Sequence, residues 1–222
     1  MMSGERDWDR ARWLWLLALA GGISFFVAVH LRLDGPAIWA WKTSGVGLLA
    51  VWAAANAREK SGWLIAAVLG FGALGDYLLD AKGLVVGAAA FAGGHVIAVI
   101  LYLTNRRAKT TPSQRLLGWL VTPATLAIIW GMLSPQPDWW HAAVYSLFVA
   151  AMAAAAWTSR FPRYRTGIGA MMFLASDLFI FAGEGAVLSK DVTLWLVWPL
   201  YFAGQALIAW GVVGTLAKEA RA

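Results

Sequence analysis

Cysteine is absent from the 222 residues, so disulfides, thiolate nucleophiles and cysteine-ligated metals are excluded. Charge is scarce, at 14% of residues against 60% hydrophobic, a balance that predicts a membrane protein rather than a soluble domain. No polar stretch is long enough to fold separately. The chain therefore reads as a single transmembrane domain over 1–222, with a short N-terminal segment 1–12 and a C-terminal tail 217–222. Several catalytic signatures are also missing: there is no Gly-x-Ser-x-Gly elbow, no His-Glu-x-x-His and no Gly-rich phosphate loop. The only histidines are His30, His95 and His141, and a zinc site would have to join a mid-span His95 to residues at or near helix ends. No metal and no cofactor is expected.

What is present is a series of apolar runs, each about the roughly 20 residues that an α-helix needs to span a bilayer. Eight are read, at 13–29, 36–55, 63–79, 84–103, 116–133, 139–157, 166–182 and 194–216. The fold class is all-α and polytopic, with eight transmembrane helices. The first run ends in His30-Leu31-Arg32-Leu33-Asp34 without a small-residue cleavage site, so it is read as a retained helix rather than a signal peptide. With the N-terminus cytoplasmic, fourteen of the eighteen Lys and Arg residues fall in inner segments, three (Arg32, Lys82, Lys190) in outer ones, and Lys42 within a span. This is the positive-inside pattern. It predicts both termini in the cytoplasm, and the chain is expected as an integral protein of a bacterial inner or plasma membrane. It also accounts for the net charge of +6 without nucleic acid.

Of the twelve acidic residues only Asp76, in Gly75-Asp76-Tyr77-Leu78-Leu79, and Asp177, in Ser176-Asp177-Leu178-Phe179, fall inside apolar runs. An acid in hydrocarbon costs about 2.5–3.5 kcal/mol even on a lenient scale. A chain that keeps two is expected to use them. Lys42 lies about 9 Å below the outer end of its span at about 1.5 Å per residue; it either snorkels to the surface or serves as counter-ion to a buried acid. His95, beside Gly93-Gly94, is either a satisfied structural donor or part of a site, and it needs a partner such as Asp76 or Tyr145 because hydrocarbon supplies no water. The Asp80-Ala81-Lys82-Gly83 turn makes the third and fourth spans antiparallel neighbours. Pro199 is expected to bend the last span where Tyr201 and Gln205 share a face.

Gly75-Asp76 and Ser176-Asp177 are echoed 101 residues apart, and Phe91-Ala92-Gly93 recurs as Phe202-Ala203-Gly204, a pattern that fits two parallel four-helix halves. By helix rise, Asp76, Asp177, Lys42, Tyr145 and Tyr201 lie roughly 5–10 Å below the outer ends, and His95 and Gln205 lie at roughly 16 Å. Polar groups in one slab are satisfied most economically in one wet cavity. Two carboxyls there can divide labour, one as general acid and one as general base. The same acids would also suit a proton relay in a transporter or lipid carrier.

Gly75-Asp76-x-Leu-Leu, Phe91-x-x-Gly-His95, Tyr145 with Met152, Gly169-Ala170 leading to Ser176-Asp177, and Tyr201-x-x-x-Gln205 together resemble the YhhN family of lysoplasmalogenases, in order from about Lys42 to Gly211. The family often has Lys-Pro in its second span, where this chain has Lys42-Thr43. The resemblance implies an integral membrane hydrolase that cleaves the vinyl ether bond of lysoplasmalogens without a metal. It implies catalytic roles for Asp76 and Asp177, with Lys42, His95, Tyr145, Ser176, Tyr201 and Gln205 supporting. The implied partners are a lysophospholipid substrate and the surrounding membrane lipid. Hydrolysis of a different lysolipid bond, ester or amide, remains the alternative within the enzyme class.

Overall fold

The computed structural model describes residues 11–221; most of the N-terminal segment expected to be cytoplasmic lies outside these described residues. It is 84% helical with no sheet among the described residues. The order is α1 (Arg12–His30), α2 (Pro36–Ala55), α3 (Lys60–Lys82), α4 (Leu84–Thr104), α5 (Pro112–Leu133), α6 (Trp139–Thr158), a π-helical turn (Arg163–Gly167), α7 (Ile168–Glu184) and α8 (Lys190–Glu219).

Seven helices among the described residues, rather than the eight expected, are long and apolar enough to cross a membrane, with the π-helical turn and α7 counted as one. The helix that falls short is α2. It has the length, but Lys42, Thr43, Ser44 and the tryptophans at 39, 41 and 52 lower its mean hydropathy. Large apolar side chains are exposed along the other helices, among them Ile23, Val85 and Trp119. Such exposure is ordinary against lipid tails, which are as apolar as leucine.

The helix ends follow local chemistry. Pro36 stands in the first turn of α2, where its missing N–H costs no hydrogen bond. Thr111 and Gln114 form a reciprocal capping box at the start of α5. Between α3 and α4 only Gly83 intervenes, at φ +90, where a side chain would be strained. Asp80 and Lys82 therefore belong to the last turn of α3 and not to a loop.

Contacts divide the chain into two compact units, Met1–Gly94 with Ala209–Ala222, and His95–Ile208. The boundaries fall inside α4 and α8, so the division differs from two sequential four-helix halves. In the first unit α2 packs against both α1 and α3. Its core holds Ala18, Val46, Leu49, Trp52, Ile65 and Leu69, with the Trp15 ring 6.5 Å from Trp52 and 6.2 Å from Trp210. The α3–α4 hairpin closes tightly: a β-carbon on Gly75 would stand 2.8 Å from the Phe91 ring, and one on Gly87 would stand 2.6 Å from Leu79 Cβ.

In the second unit α6 lies against α5, α7 and the π-helical turn. The two loops flanking α5 and α6 are clasped. Arg160 donates its backbone N–H to Asn105 O and its Nε to Asn105 Oδ1, both at 2.8 Å, while Arg107 Nε donates to Ser159 O at 3.2 Å. The α7–α8 contact rests on two glycines. A β-carbon on Gly169 would come within 2.6 Å of Gly204 O, and one on Gly204 within 2.7 Å of Gly169 O. Small residues of this kind let two backbones approach in lipid, where dispersion contacts must supply the attraction.

Candidate functional site

One face of α7 carries Gly169, Phe173, Asp177 and Phe181 at a spacing of four, so their side chains stack along a single stripe. Gly169 seats the helix on α8, and the next three residues build the polar site of the second unit. Asp177 is 6% exposed, and Tyr145 of α6 donates its phenolic proton to Asp177 Oδ2 at 2.8 Å. His95 of α4, 4% exposed, places Nε2 3.2 Å from the same phenolic oxygen. With the tyrosine proton committed to the carboxylate, that oxygen accepts from His95, which selects the Nε2–H tautomer. The result is a directed chain from His95 through Tyr145 to Asp177.

Aromatic rings enclose this chain. Phe173 stands edge-on to His95 at 5.0 Å and to Tyr201 at 5.1 Å, and Phe181 lies 5.9 Å from Tyr145. Tyr145 also packs against the buried cluster of Ile129, Leu133 and Phe181. Apolar walls of this sort strengthen the enclosed hydrogen bonds, because little water competes for them. Tyr201 and Gln205 sit one turn apart on α8, with Gln205 Nε2 donating to Tyr201 Oη at 3.5 Å, a long contact.

Ser176 turns away from this chain. Its hydroxyl donates to Val197 O at 3.0 Å, tying α7 to α8 two residues before Pro199. His141, four residues before Tyr145, is exposed, lies with its ring tilted 3.7 Å from that of Trp140 and contacts Asp138 O through Nδ1 at 3.2 Å. It takes no part in the chain.

In the first unit Asp76 is 3% exposed in α3, next to the Gly75 that admits the Phe91 ring. Lys42 of α2 donates from Nζ to both Oδ1 and Oδ2 of Asp80 at 2.9 Å. Its counter-ion is thus not Asp76 but the acid one turn beyond it on the same face of α3. Reading the Asp80 stretch as a turn hid this partner. Phe173 and Phe181 were also missed, although their spacing of four from Asp177 is a visible signal.

A family profile described as "YhhN family" matches residues 37–212, which begin inside α2 and leave α1 outside the match. Two curated relatives, each named "Lysoplasmalogenase", come from Mycobacterium bovis (strain ATCC BAA-935 / AF2122/97) and Mycobacterium tuberculosis (strain CDC 1551 / Oshkosh). Each is 31% identical over 221 residues, covering 89% of this chain and 82% of the relative. No solved structure matches the chain significantly. With the profile running from the start of α2 into α8 and including His95, Tyr145 and Asp177, this protein belongs to the YhhN family.

Proposed function

We propose that the protein is a lysoplasmalogenase-like hydrolase, which cleaves the vinyl ether of a lysoplasmalogen to a fatty aldehyde and a glycerophospho-alcohol. The observation that carries this reading is the enclosed chain His95–Tyr145–Asp177; the names of the mycobacterial relatives add to it.

The chemistry requires a proton on carbon. A general acid protonates the vinyl carbon distal to oxygen, leaving an oxocarbenium ion on the carbon that bears the ether oxygen. A general base takes a proton from water as the water adds to that carbon. The hemiacetal then collapses, its hydroxyl losing a proton while the ether oxygen gains one, to give aldehyde and alcohol. One water is consumed and no acyl-enzyme forms. Paired carboxylates handle the related oxocarbenium chemistry of glycosidic bonds, and the step needs no metal.

In this reading Asp177 and Asp76 are the acid/base pair, a role that follows from the family resemblance. Tyr145 and His95 hold the Asp177 carboxyl in one orientation. Tyr201 and Gln205 order water, Lys42 contacts the phosphate, and Ser176 keeps α7 seated on α8. The chain would lie in a bacterial inner membrane with both termini cytoplasmic, an orientation carried by the alternation of Lys and Arg and tested by reporter fusions at the C-terminus.

The deciding experiment incubates purified protein with lysoplasmenylethanolamine and identifies the product by mass spectrometry. Aldehyde supports the proposal, whereas fatty acid or unchanged lipid sinks it. General acid–base groups contribute about 10²–10⁴-fold, so Asp177→Asn and Asp76→Asn should each reduce aldehyde release by at least about a hundredfold. A variant that keeps near wild-type rate removes its residue from the mechanism.

A further inference from the structure

At the end of the first unit where α2 begins and α3 closes, two cross-helix contacts stand side by side. Trp39 and Tyr77 meet at 6.3 Å, edge to face, and Lys42 pairs with Asp80. Trp39 and Lys42 are three residues apart on α2, as Tyr77 and Asp80 are on α3, so each pair shares a helix face. Asp34 extends the array, accepting from Gly35 N at 2.7 Å and from Trp39 Nε1 at 2.6 Å through one oxygen, Oδ1. The array thus carries one cation with its counter-ion, and one exposed carboxylate fixed to an indole.

We propose that this array reads a dipolar head group of a single-chain lipid, a phosphate esterified to an amino-alcohol, with Lys42 taking the phosphate and Asp34 with Trp39 taking the ammonium. This deepens the lysolipid reading above and rests on it.

Lys42 has three N–H donors, and Asp80 uses two, leaving one for a phosphate oxygen. The side chains of Lys42 and Asp80 are 14% and 24% exposed, so the ammonium is sheltered yet reachable. A partly buried ion pair is a poor stability device, since apolar residues of similar volume often do as well. Asp80 therefore acts as a positioning residue: it holds the Lys42 ammonium at one depth and offsets its charge, so that a singly charged phosphodiester is accepted and a doubly charged phosphomonoester gains less.

On the other side, the hydrogen bond from Trp39 pins the indole, and tryptophan is the best aromatic face for a cation. That same bond, with the Gly35 N–H, lowers the proton affinity of the Asp34 carboxyl, so it stays ionised beside an arriving ammonium. Asp80 also lies one turn beyond Asp76 on α3. A head group held here sits next to one of the two proposed catalytic acids.

The test measures binding of two non-cleavable ligands, a 1-O-alkyl lysophosphoethanolamine and the matching 1-O-alkyl lysophosphatidate, to the full chain in detergent by calorimetry. Wild type should prefer the phosphoethanolamine, and Asp34→Asn should abolish that preference. A charge-assisted hydrogen bond lost to Lys42→Gln should weaken both ligands by about tenfold or more. Asp80→Asn should instead tighten lysophosphatidate, a gain that neither misfolding nor a merely structural bridge produces, and Asp80→Glu should restore the wild-type order. Equal wild-type affinities overturn the proposal, as does unchanged binding in Lys42→Gln, which decides alone if Asp80→Asn does not fold. Neither ligand can be hydrolysed, so absence of aldehyde in the activity assay would sink the proposed reaction and leave this result standing.

Discussion

Tyr145 donates to Asp177 Oδ2 at 2.8 Å while its oxygen lies 3.2 Å from His95 Nε2, so one phenol on α6 links an imidazole on α4 to a carboxylate on α7. The phenol is the only one of the three that contacts both others within this chain. It therefore determines whether Asp177 has a fixed orientation or a free one.

Removing that hydroxyl should be felt twice. Tyr145→Phe leaves a buried carboxylate without its donor, which should cost about 1–3 kcal/mol of stability. If Asp177 works as proposed, kcat for aldehyde release should fall by about tenfold to a hundredfold, each tenfold being about 1.4 kcal/mol of barrier, with KM little changed. Thermal unfolding in detergent and steady-state kinetics check the two arms, and a fully active Tyr145→Phe would show that the chain is only structural.

The glycines at the α7–α8 contact offer a cleaner test of packing. Gly169→Val puts a side chain where Gly204 O already stands at 2.6 Å from the new Cβ. Overpacking of this kind costs about 1–3 kcal/mol or more. Gly131 of α5 meets nothing within 4 Å, so Gly131→Ala should stabilise by about the 1 kcal/mol by which alanine exceeds glycine in a helix. Opposite shifts in midpoint temperature are expected, and a tolerated Gly169→Val would mean that the close approach of α7 and α8 is wrong.

The Lys42–Asp80 bridge can be weighed with a double-mutant cycle. Lys42→Met alone strands a sheltered carboxylate and should cost about 1–2 kcal/mol, less than a fully buried pair because solvent reaches both groups. Lys42→Met with Asp80→Leu should recover most of that loss. Chemical denaturation of the four proteins measures the coupling, and additive effects would show that the two side chains do not interact.

Acid should release Trp39. The hydrogen bonds from Trp39 and Gly35 hold the Asp34 carboxyl below its ordinary value of 3.8. The ionised contact is complete above that pH and is lost as the pH falls through the lower folded value, so any stability it supplies declines on acidification and not on alkalinisation. The indole N–H resonance of Trp39 should move in that window and stay still in Asp34→Asn.

Much of the fold was legible because a spanning helix must be both long and apolar. The expected run at 63–79 became Lys60–Lys82, and 194–216 became Lys190–Glu219, since hydropathy sees only the apolar middle while backbone hydrogen bonding continues through polar flanks. That extension is why Asp80 was placed in a turn. The α2 helix was the opposite case. Its span was located by Pro36, yet its Lys, Thr, Ser and Trp content leaves it short of the apolar threshold the other seven meet.

By itself the sequence determined that the chain is helical, that Asp76 and Asp177 must be buried, and that His95 needs a partner in a medium without water. Only the tertiary structure decided which partners those are. Tyr145 was one among several polar residues at similar depth, Asp80, the partner of Lys42, lay in a stretch read as a turn, and depth along a helix axis is one coordinate. Whether two side chains meet depends also on the rotation of each helix about its axis, and that is set by how glycines such as 169 and 204 allow backbones to close. A one-residue difference in rotation turns a side chain by about 100°, enough to replace a hydrogen bond with lipid.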